Sequence, residues 1–284
     1  MLSITAKTKM CVIIGDPVEH SLSPLMHNAG YEALQIDDQF VFTAAHVKPA
    51  DLSVVVSAVR AMGIHGLTCT IPHKVEIMKY LDEIDPIAQK IGAVNTVVNK
   101  DGWLKGYNTD WLGTISPLEA ITSLQHKKVA LIGAGGASRA MAFGVVSKGA
   151  SLSIFNRTVI KAEEIARAIN EHVKALPMDS LPNEIQSYDI IINATNMGMA
   201  ELVDKSPVPK ELLQSRHIIF DAVYSPYKTK LLQDASEQGA TIIHGTEMLL
   251  HQGTAQFELY TGQKAPIEVM RKVLLEKLGI TNYE

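Results

Sequence analysis

Short runs rich in β-branched residues alternate with longer amphipathic segments along most of the 284 residues. The short runs suit strands, whereas the apolar spacing of the longer segments suits helices that are buried on one side. The predicted strands are Met10–Ile14, Phe40–Ala44, Gly66–Ile71, Ala93–Val98, Lys128–Ile132, Ser151–Phe155, Ile190–Asn193, Ile218–Asp221 and Thr241–Ile243. The predicted helices are Asp51–Met62, Trp111–Ser123, Ser138–Lys148, Val159–Asn170, Lys228–Gln238, Met248–Tyr260 and Pro266–Leu278. This alternation predicts an α/β protein with largely parallel sheets covered on both sides.

The same pattern predicts a domain boundary near residue 110. Gly106–Asp110 leads into a helical stretch, after which Lys127–Gly133 begins a second strand–helix series with its own glycine signature. The residues after about Thr246 have no strand pattern, so we expect the terminal helices to return to the first domain. The predicted domains are residues 1–110 completed by 246–284, and residues 111–245.

Composition narrows the class of protein. Apolar residues make up 46% of the chain and charged residues 20%, which permits a full core, and the net charge is −4 without a long run of one sign. Binding to nucleic acid or to an acidic membrane surface is therefore not indicated. No signal-peptide or membrane-spanning pattern is visible, and Cys11 and Cys69 stand in apolar runs typical of buried thiols. We expect a cytoplasmic protein without a metal site, either a monomer or a homodimer.

The second domain begins with a dinucleotide-binding signature. An apolar strand ends in Gly133-Ala134-Gly135-Gly136, followed by Ala137 and by Ser138, which opens a predicted helix. Gly133 permits the tight turn, and Gly135 lets the backbone approach a pyrophosphate whose charge rests on the helix N-terminus. A purely structural turn is the alternative interpretation.

The next strand indicates which dinucleotide is bound. It ends in Asn156-Arg157-Thr158, with Lys161 one turn further, where NAD sites usually place a carboxylate for the adenosine ribose. Arginine matches a 2′-phosphate in charge and in fork geometry. This favours NADP over NAD, with a solvated basic helix start as the alternative.

Polar segments follow the predicted strands of the first domain. They are Gly15–Pro24, Thr68–Lys74, Gly92–Thr96 and Gly106–Asp110. Ligands of α/β sheets collect at the carboxyl ends of strands, and these segments offer small hydroxyls, an amine, an amide and a carboxylate. Such a pocket suits a small polyhydroxylated acid.

The segments SLSP, TxPxK, GAxNT, GxNTD, GAGGASR, NRT, NATxxG and MLxxQ occur here in the order found in shikimate dehydrogenases. The chain resembles that family from Gly15 to about Gly262. The resemblance implies an N-terminal αβ substrate domain, a Rossmann NADP domain and C-terminal helices that return to the first domain. It also implies NADPH-dependent, reversible reduction of 3-dehydroshikimate to shikimate, a step of aromatic amino acid biosynthesis.

Carried over position by position, the resemblance implies roles for individual residues. The substrate carboxylate is assigned to Ser21, Ser23 and Tyr224, and the ring hydroxyls to Thr70, Asn95 and Gln252. Without the resemblance, Ser23 suits a helix N-cap and Asn95 a turn. The residues assigned to the cofactor are Gly133, Gly135, Gly136, Ala137, Ser138, Asn156, Arg157, Thr158, Lys161, Thr195, Gly198 and Gly245; Asn193 stands in the same loop as Thr195.

Lys74 and Asp110 are the predicted catalytic pair. Reduction of a ketone creates an alkoxide, which Lys74 can stabilise and protonate. Asp110 can orient Lys74. Two positions depart from the family pattern, Thr68 where asparagine is frequent and Trp111 where glycine is frequent. A quinate or dual quinate/shikimate dehydrogenase is the runner-up, and a non-catalytic NADP-binding sensor is a remote alternative.

Overall fold

The computed structural model describes residues 4–281, which cluster into two compact units. The first unit comprises Met1–Thr109 and Gln252–Glu284, and the second comprises Asp110–His251. Both units combine helices with a sheet, so the predicted α/β class is confirmed. The assignment of substrate to the first part and of cofactor to the second stays a prediction.

The described residues of the first unit contain a six-stranded mixed sheet. Its strand order is β2-β1-β3-β5-β6-β4. The strands are β1 Lys9–Gly15, β2 Phe40–His46, β3 Gly66–Cys69, β4 Glu83–Ile84, β5 Thr96–Lys100 and β6 Trp103–Tyr107. The helices are α1 Ser23–Ala33, α2 Leu52–Ala61 and α3 Pro86–Ile91.

The prediction of largely parallel sheets is wrong for this sheet. Strand β1 is parallel to β2 and β3, but β5 is antiparallel to both β3 and β6. Strands β5 and β6 form a hairpin closed by Asp101 and Gly102, both with positive φ, as a two-residue turn of the primed type requires. The predicted strand Ala93–Val98 is shifted, because Ala93–Asn95 precede β5.

The second unit contains a six-stranded sheet that is parallel throughout, in the order β12-β11-β10-β7-β8-β9. Its strands are β7 Lys128–Ile132, β8 Ser151–Asn156, β9 Lys174–Pro177, β10 Ile190–Asn193, β11 Ile218–Asp221 and β12 Thr241–Ile243. Its helices are α4 Asp110–Glu119, α5 Gly136–Ser147, α6 Val159–Ile169, α7 Leu181–Glu184 and α8 Lys230–Glu237. This is the doubly wound order of dinucleotide-binding folds, and the order reverses between β7 and β10.

Two helices complete the described chain, α9 Gly245–Thr261 and α10 Ile267–Lys277. Helix α10 packs on α1, and Gly253 of α9 lies so close to Met26 of α1 that a side chain at position 253 would collide with it. The terminal helices therefore return to the first unit, as predicted.

The structure adds two observations on residues 4–281. A helix with the length and apolar character needed to cross a bilayer is not found among them. The same residues contain no cluster of three histidine, cysteine or acidic side chains arranged to hold a metal ion.

Candidate active site

The first predicted site residues lie where β1 leads into α1. Ser23 is buried and is the first residue of α1, and its N–H donates to Ser21 Oγ over 3.3 Å. The N-cap position belongs to Leu22, and no side chain caps this end of the helix. The alternative interpretation of Ser23 as an N-cap is therefore wrong. Two serine hydroxyls stand at a helix N-terminus, where backbone amides and the helix dipole favour an anion.

Thr70 and Lys74 follow β3, the strand next to β1. Thr70 N–H donates to Ile14 O over 2.9 Å, and the side chain of Thr70 fills the space beside Gly15. Turns continue through Lys74, and a short 3₁₀ helix spans Glu76–Tyr80, so no α-helix follows β3 directly. Lys74 is half-buried in these turns.

The ammonium group of Lys74 acts on a buried thiol nearby. Burial raises the pKa of Cys69 to about 12, and the positive charge of Lys74 partly opposes that rise. Cys69 is accordingly a neutral thiol at physiological pH, as expected for a small buried side chain.

Asn95 is buried at the start of β5, beside the end of β3, and it joins three segments. Its Oδ1 accepts from Thr96 Oγ1 at 2.8 Å and from Thr109 N–H at 2.8 Å, and its Nδ2 donates to Thr109 Oγ1 at 2.9 Å. Just before it, Val94 N–H donates to Lys74 O over 2.7 Å. The dipeptide Val94-Asn95 thus ties the backbone of Lys74 to Thr109, the residue before Asp110.

Asp110 is buried and is the first residue of α4. It is also the first residue of the second unit. One turn along the helix, Thr114 Oγ1 donates to the carbonyl of Asp110 over 3.3 Å. The helix dipole favours a carboxylate in the first turn of a helix.

Gln252 is buried on α9, next to the contact between Gly253 and Met26. Two turns further along α9, the Tyr260 ring lies against Gly66, and its hydroxyl lies 2.9 Å from Thr68 Oγ1. Thr68, which departs from the family pattern, therefore has its hydroxyl engaged by Tyr260 of α9.

In the second unit, the glycine-rich turn has the backbone geometry that the fingerprint requires. Gly133 has φ +113°, and a Cβ there would approach the backbone of Ala194 to 3.1 Å. The position of a Cβ on Gly135 has no atom within 4 Å, which leaves the approach to the backbone open. The helix begins at Gly136 rather than at Ser138; the buried Ser138 instead accepts from Gly135 N–H at 3.0 Å.

The end of β8 carries exposed basic side chains. Arg157 and Lys161 are exposed at the start of α6, whose first turn contains no acidic residue. Asn156 Nδ2 donates to Thr158 O over 2.8 Å and so fixes the turn between strand and helix. A dinucleotide with a 2′-phosphate fits these donors, since they offer positive charge and no competing carboxylate.

The loop after β10 contains Thr195 and Gly198. Asn193, fully buried at the strand end, accepts from Thr195 N–H at 3.0 Å and from Thr195 Oγ1 at 2.7 Å. Gly245 begins α9 with its Cα against the carbonyl of Val223, closer than a side chain would allow. Tyr224 is half-buried on the loop after β11, and burial raises the pKa of its phenol, which therefore keeps its proton at neutral pH.

The structure thus brings the first-unit residues Ser21, Ser23, Thr70, Lys74, Asn95 and Gln252 to one edge of the mixed sheet and its covering helices. Tyr224, Asp110 and the predicted cofactor residues belong to the second unit. Two buried residues with no role predicted from the sequence, Thr109 and Asp221, hold the ends of these loops. Their contacts join segments distant in sequence, so spacing gave no signal for them.

Three family models match separate parts of the chain. Residues 13–97 match the family model of the shikimate dehydrogenase substrate binding domain, residues 118–227 that of shikimate / quinate 5-dehydrogenase, and residues 245–275 that of the shikimate 5′-dehydrogenase C-terminal domain. A Bacillus cereus (strain AH187) protein named shikimate dehydrogenase (NADP(+)) is 45% identical over 272 residues, 94% of this chain and 98% of that protein.

Solved structures are similar over nearly the whole chain. A shikimate dehydrogenase in complex with NADP+ has a TM-score of 0.92 and 42% identity, with 97% of each chain covered. Shikimate 5-dehydrogenase from Listeria monocytogenes, in complex with shikimate and NAD, has a TM-score of 0.88 and 37% identity, with 95% of this chain and 98% of that one covered. This chain belongs to the shikimate dehydrogenase family.

Proposed function

We propose that this protein is an NADP-dependent shikimate dehydrogenase, which reversibly reduces 3-dehydroshikimate to shikimate in the biosynthesis of aromatic amino acids. The observation that carries the proposal is the set of polar groups at one edge of the first sheet. There, Thr70 and Lys74 after β3, Asn95 before β5 and the two serines after β1 gather hydroxyls, an amide and an ammonium group. This donor set suits a small acid with several hydroxyl groups.

The substrate carboxylate is proposed to lie at the N-terminus of α1. Ser21 Oγ accepts from Ser23 N–H, which leaves its own O–H to donate. The first turn of α1 contains no acidic residue that would compete with a bound anion. Tyr224 is proposed as a further donor, because its phenol keeps its proton at neutral pH.

Lys74 and Asp110 are proposed as the catalytic residues. When NADPH is bound, its nicotinamide supplies the hydride that reduces the ketone carbon. Lys74 stabilises the negative charge that develops on the ketone oxygen, and its ammonium group gives that oxygen the proton of the product hydroxyl. Asp110 orients Lys74 and accepts a hydrogen bond from the same hydroxyl. In the direction of oxidation, neutral Lys74 takes the hydroxyl proton back.

NADP is proposed as the cofactor because of the glycine-rich turn and the basic side chains of the second unit. The turn at Gly133 and the open approach at Gly135 support binding of the pyrophosphate at the N-terminus of α5. Arg157 and Lys161 support recognition of the 2′-phosphate, with Arg157 the better matched because of its planar fork. A cytoplasmic location is part of the proposal; both cysteines are free and buried, as in a reducing compartment.

The test is an assay of shikimate oxidation by the purified protein, followed by the absorbance of the reduced nicotinamide. NADP and NAD are compared at matched concentrations, with reactions lacking shikimate as the control. We expect turnover with shikimate and a higher kcat/KM with NADP than with NAD. Absence of turnover with either cofactor, in a protein that still binds NADP, would favour the sensor.

A further inference from the structure

Asp221 is a fully buried carboxylate at the end of β11, with three hydrogen-bond donors around it. Its Oδ1 accepts from Asn193 Nδ2 at 2.9 Å and from Val223 N–H at 3.0 Å. Its Oδ2 accepts from Thr229 Oγ1 at 2.6 Å. A buried carboxylate is costly unless such donors satisfy it, so these contacts determine the arrangement of the groups that make them.

The donors belong to two neighbouring loops. The β10 loop, residues 194–199, starts beside Asn193, whose Nδ2 also donates to Met197 O over 3.2 Å. The β11 loop, residues 222–229, contains Val223 and Thr229 and carries Tyr224 between them. The Thr229 side chain also lies 3.1 Å from the position that a Cβ on Gly198 would take, so the two loops pack on each other around the carboxylate.

Thr229 serves a second purpose in this network. Its Oγ1 accepts from Leu232 N–H at 3.3 Å and caps α8, so its hydroxyl proton is directed to Asp221. All three of these groups donate to Asp221, and an amide in place of the carboxylate would turn an NH₂ group toward one of these donors. Carboxylate and amide have nearly the same shape, so the substitution changes the charge and the hydrogen bonding but hardly the packing.

We infer that Asp221 is a positioning residue, which holds the β10 loop and the β11 loop in the one arrangement that presents Thr195 and Tyr224 together. The inference rests on the proposed function, in which Thr195 lies beside the nicotinamide and Tyr224 binds the substrate carboxylate. It assigns Asp221 no contact with either ligand.

The test compares Asp221→Asn, Thr229→Val and Thr229→Ser with the wild-type protein. Binding of NADP is measured directly by calorimetry, and KM for shikimate and kcat are measured in the oxidation assay. We expect Asp221→Asn and Thr229→Val to raise both the Kd for NADP and the KM for shikimate by about tenfold, with kcat changed less than about threefold. Thr229→Ser keeps the hydroxyl and is expected to stay near wild type.

The outcomes separate this inference from its alternatives. A purely structural role would lower the midpoint of thermal unfolding and leave Kd and KM of the folded fraction unchanged, which would overturn the inference. A rise in only one of the two constants would also overturn it, because the loops would then not be coupled. If Asp221→Asn does not fold, the comparison of Thr229→Val with Thr229→Ser tests the inference. A wild-type protein that binds NADP but does not oxidise shikimate would refute the proposed function instead.

Discussion

In each unit, a buried asparagine forms hydrogen bonds that hold loops carrying predicted site residues. The two asparagines differ in the chemical type of their hydrogen-bond partners. In the first unit, Asn95 bonds Thr96 and Thr109, which are neutral partners. In the second, Asn193 bonds Thr195 and also the buried carboxylate of Asp221. Burial of a neutral side chain costs little free energy once its hydrogen bonds are made, whereas burial of a carboxylate is costly unless every donor around it is retained.

The difference matches the roles proposed for the two units. Proton transfer is assigned to Lys74 of the first unit, where Asn95 bonds Thr96 and Thr109, two groups that do not titrate near neutral pH. The second unit is proposed to bind the cofactor, and burial raises the pKa of its Asp221 to about 6, against the donors that favour the ionised form. The order of the β10 and β11 loops in the second unit should therefore depend on pH.

The largest effect is expected from removing the chemistry of the first unit. Lys74→Ala should lower kcat by about two orders of magnitude or more, because it removes the group that protonates the product oxygen. Binding of NADP, measured by calorimetry, should stay near wild type, since its proposed residues belong to the second unit.

A matched control is available nearby. Lys79 is an exposed lysine paired with Glu76 at 2.8 Å, and Lys79→Ala should leave kcat unchanged. If Lys74→Ala retains near-wild-type kcat, Lys74 is not the catalytic acid.

The second effect concerns the cofactor side of the comparison. Arg157→Asp replaces an attraction to the 2′-phosphate with a repulsion, so kcat/KM for NADP should fall by about one to two orders of magnitude, and that for NAD much less. Arg167→Asp is the control, because Arg167 is exposed on the same helix and pairs with Glu163 at 2.7 Å. An unchanged NADP/NAD ratio in Arg157→Asp would mean that other residues hold the 2′-phosphate.

The third effect is a pH dependence that distinguishes the two centres. The pKa of Asp221 is about 6 in the folded protein against an ordinary value of 3.8, so between these pH values the folded state holds a proton that the unfolded state has lost. The free energy of unfolding should therefore fall as pH rises through this window, by on the order of 1–3 kcal/mol. Asp221→Asn lacks this component.

Urea denaturation of the wild type and of Asp221→Asn from pH 4 to about pH 7 measures the component by difference, since the other titrating groups are shared. The wild type should lose stability relative to the variant as pH rises. A difference that stays level or changes in the opposite direction would contradict a raised pKa of Asp221.

The sequence predicted the second unit better than the first, for a physical reason. A parallel sheet alternates apolar strands with helices, and the predicted bounds of β7, β10, β11 and β12 match the structure. The edge strand β9 was missed, because its four residues are exposed or half-buried and lack an apolar run.

In the first unit, a hairpin breaks that alternation. Strand β6 was missed although Asp101-Gly102, a strong hairpin signal, stood in the chain, and the two-residue β4 is too short for any periodicity. The helices α1 and α3 were also absent from the predicted set, although Pro24 and Pro86 occupy the first turn in each.

The site residues also differ in how far the sequence could predict them. Residues inside short motifs, such as Lys74 and Arg157, could be proposed from the residues around them. Thr109 and Asp221 act through contacts with segments 14 and 28 residues away in the chain, and burial of a carboxylate cannot be read from spacing. Asp221 stood beside Tyr224 in the sequence, but only the structure shows its donors.

The ratio of kcat/KM for shikimate to that for quinate, both measured with NADP, tests whether shikimate is the substrate. Quinate carries an extra hydroxyl on the ring carbon that bears the carboxylate, beside the proposed positions of Ser21 and Ser23. A buried hydroxyl without a partner costs about 1–3 kcal/mol, so shikimate should be preferred by roughly tenfold to hundredfold. A value for quinate equal to or above that for shikimate would contradict the account and make the protein a quinate dehydrogenase of the same family.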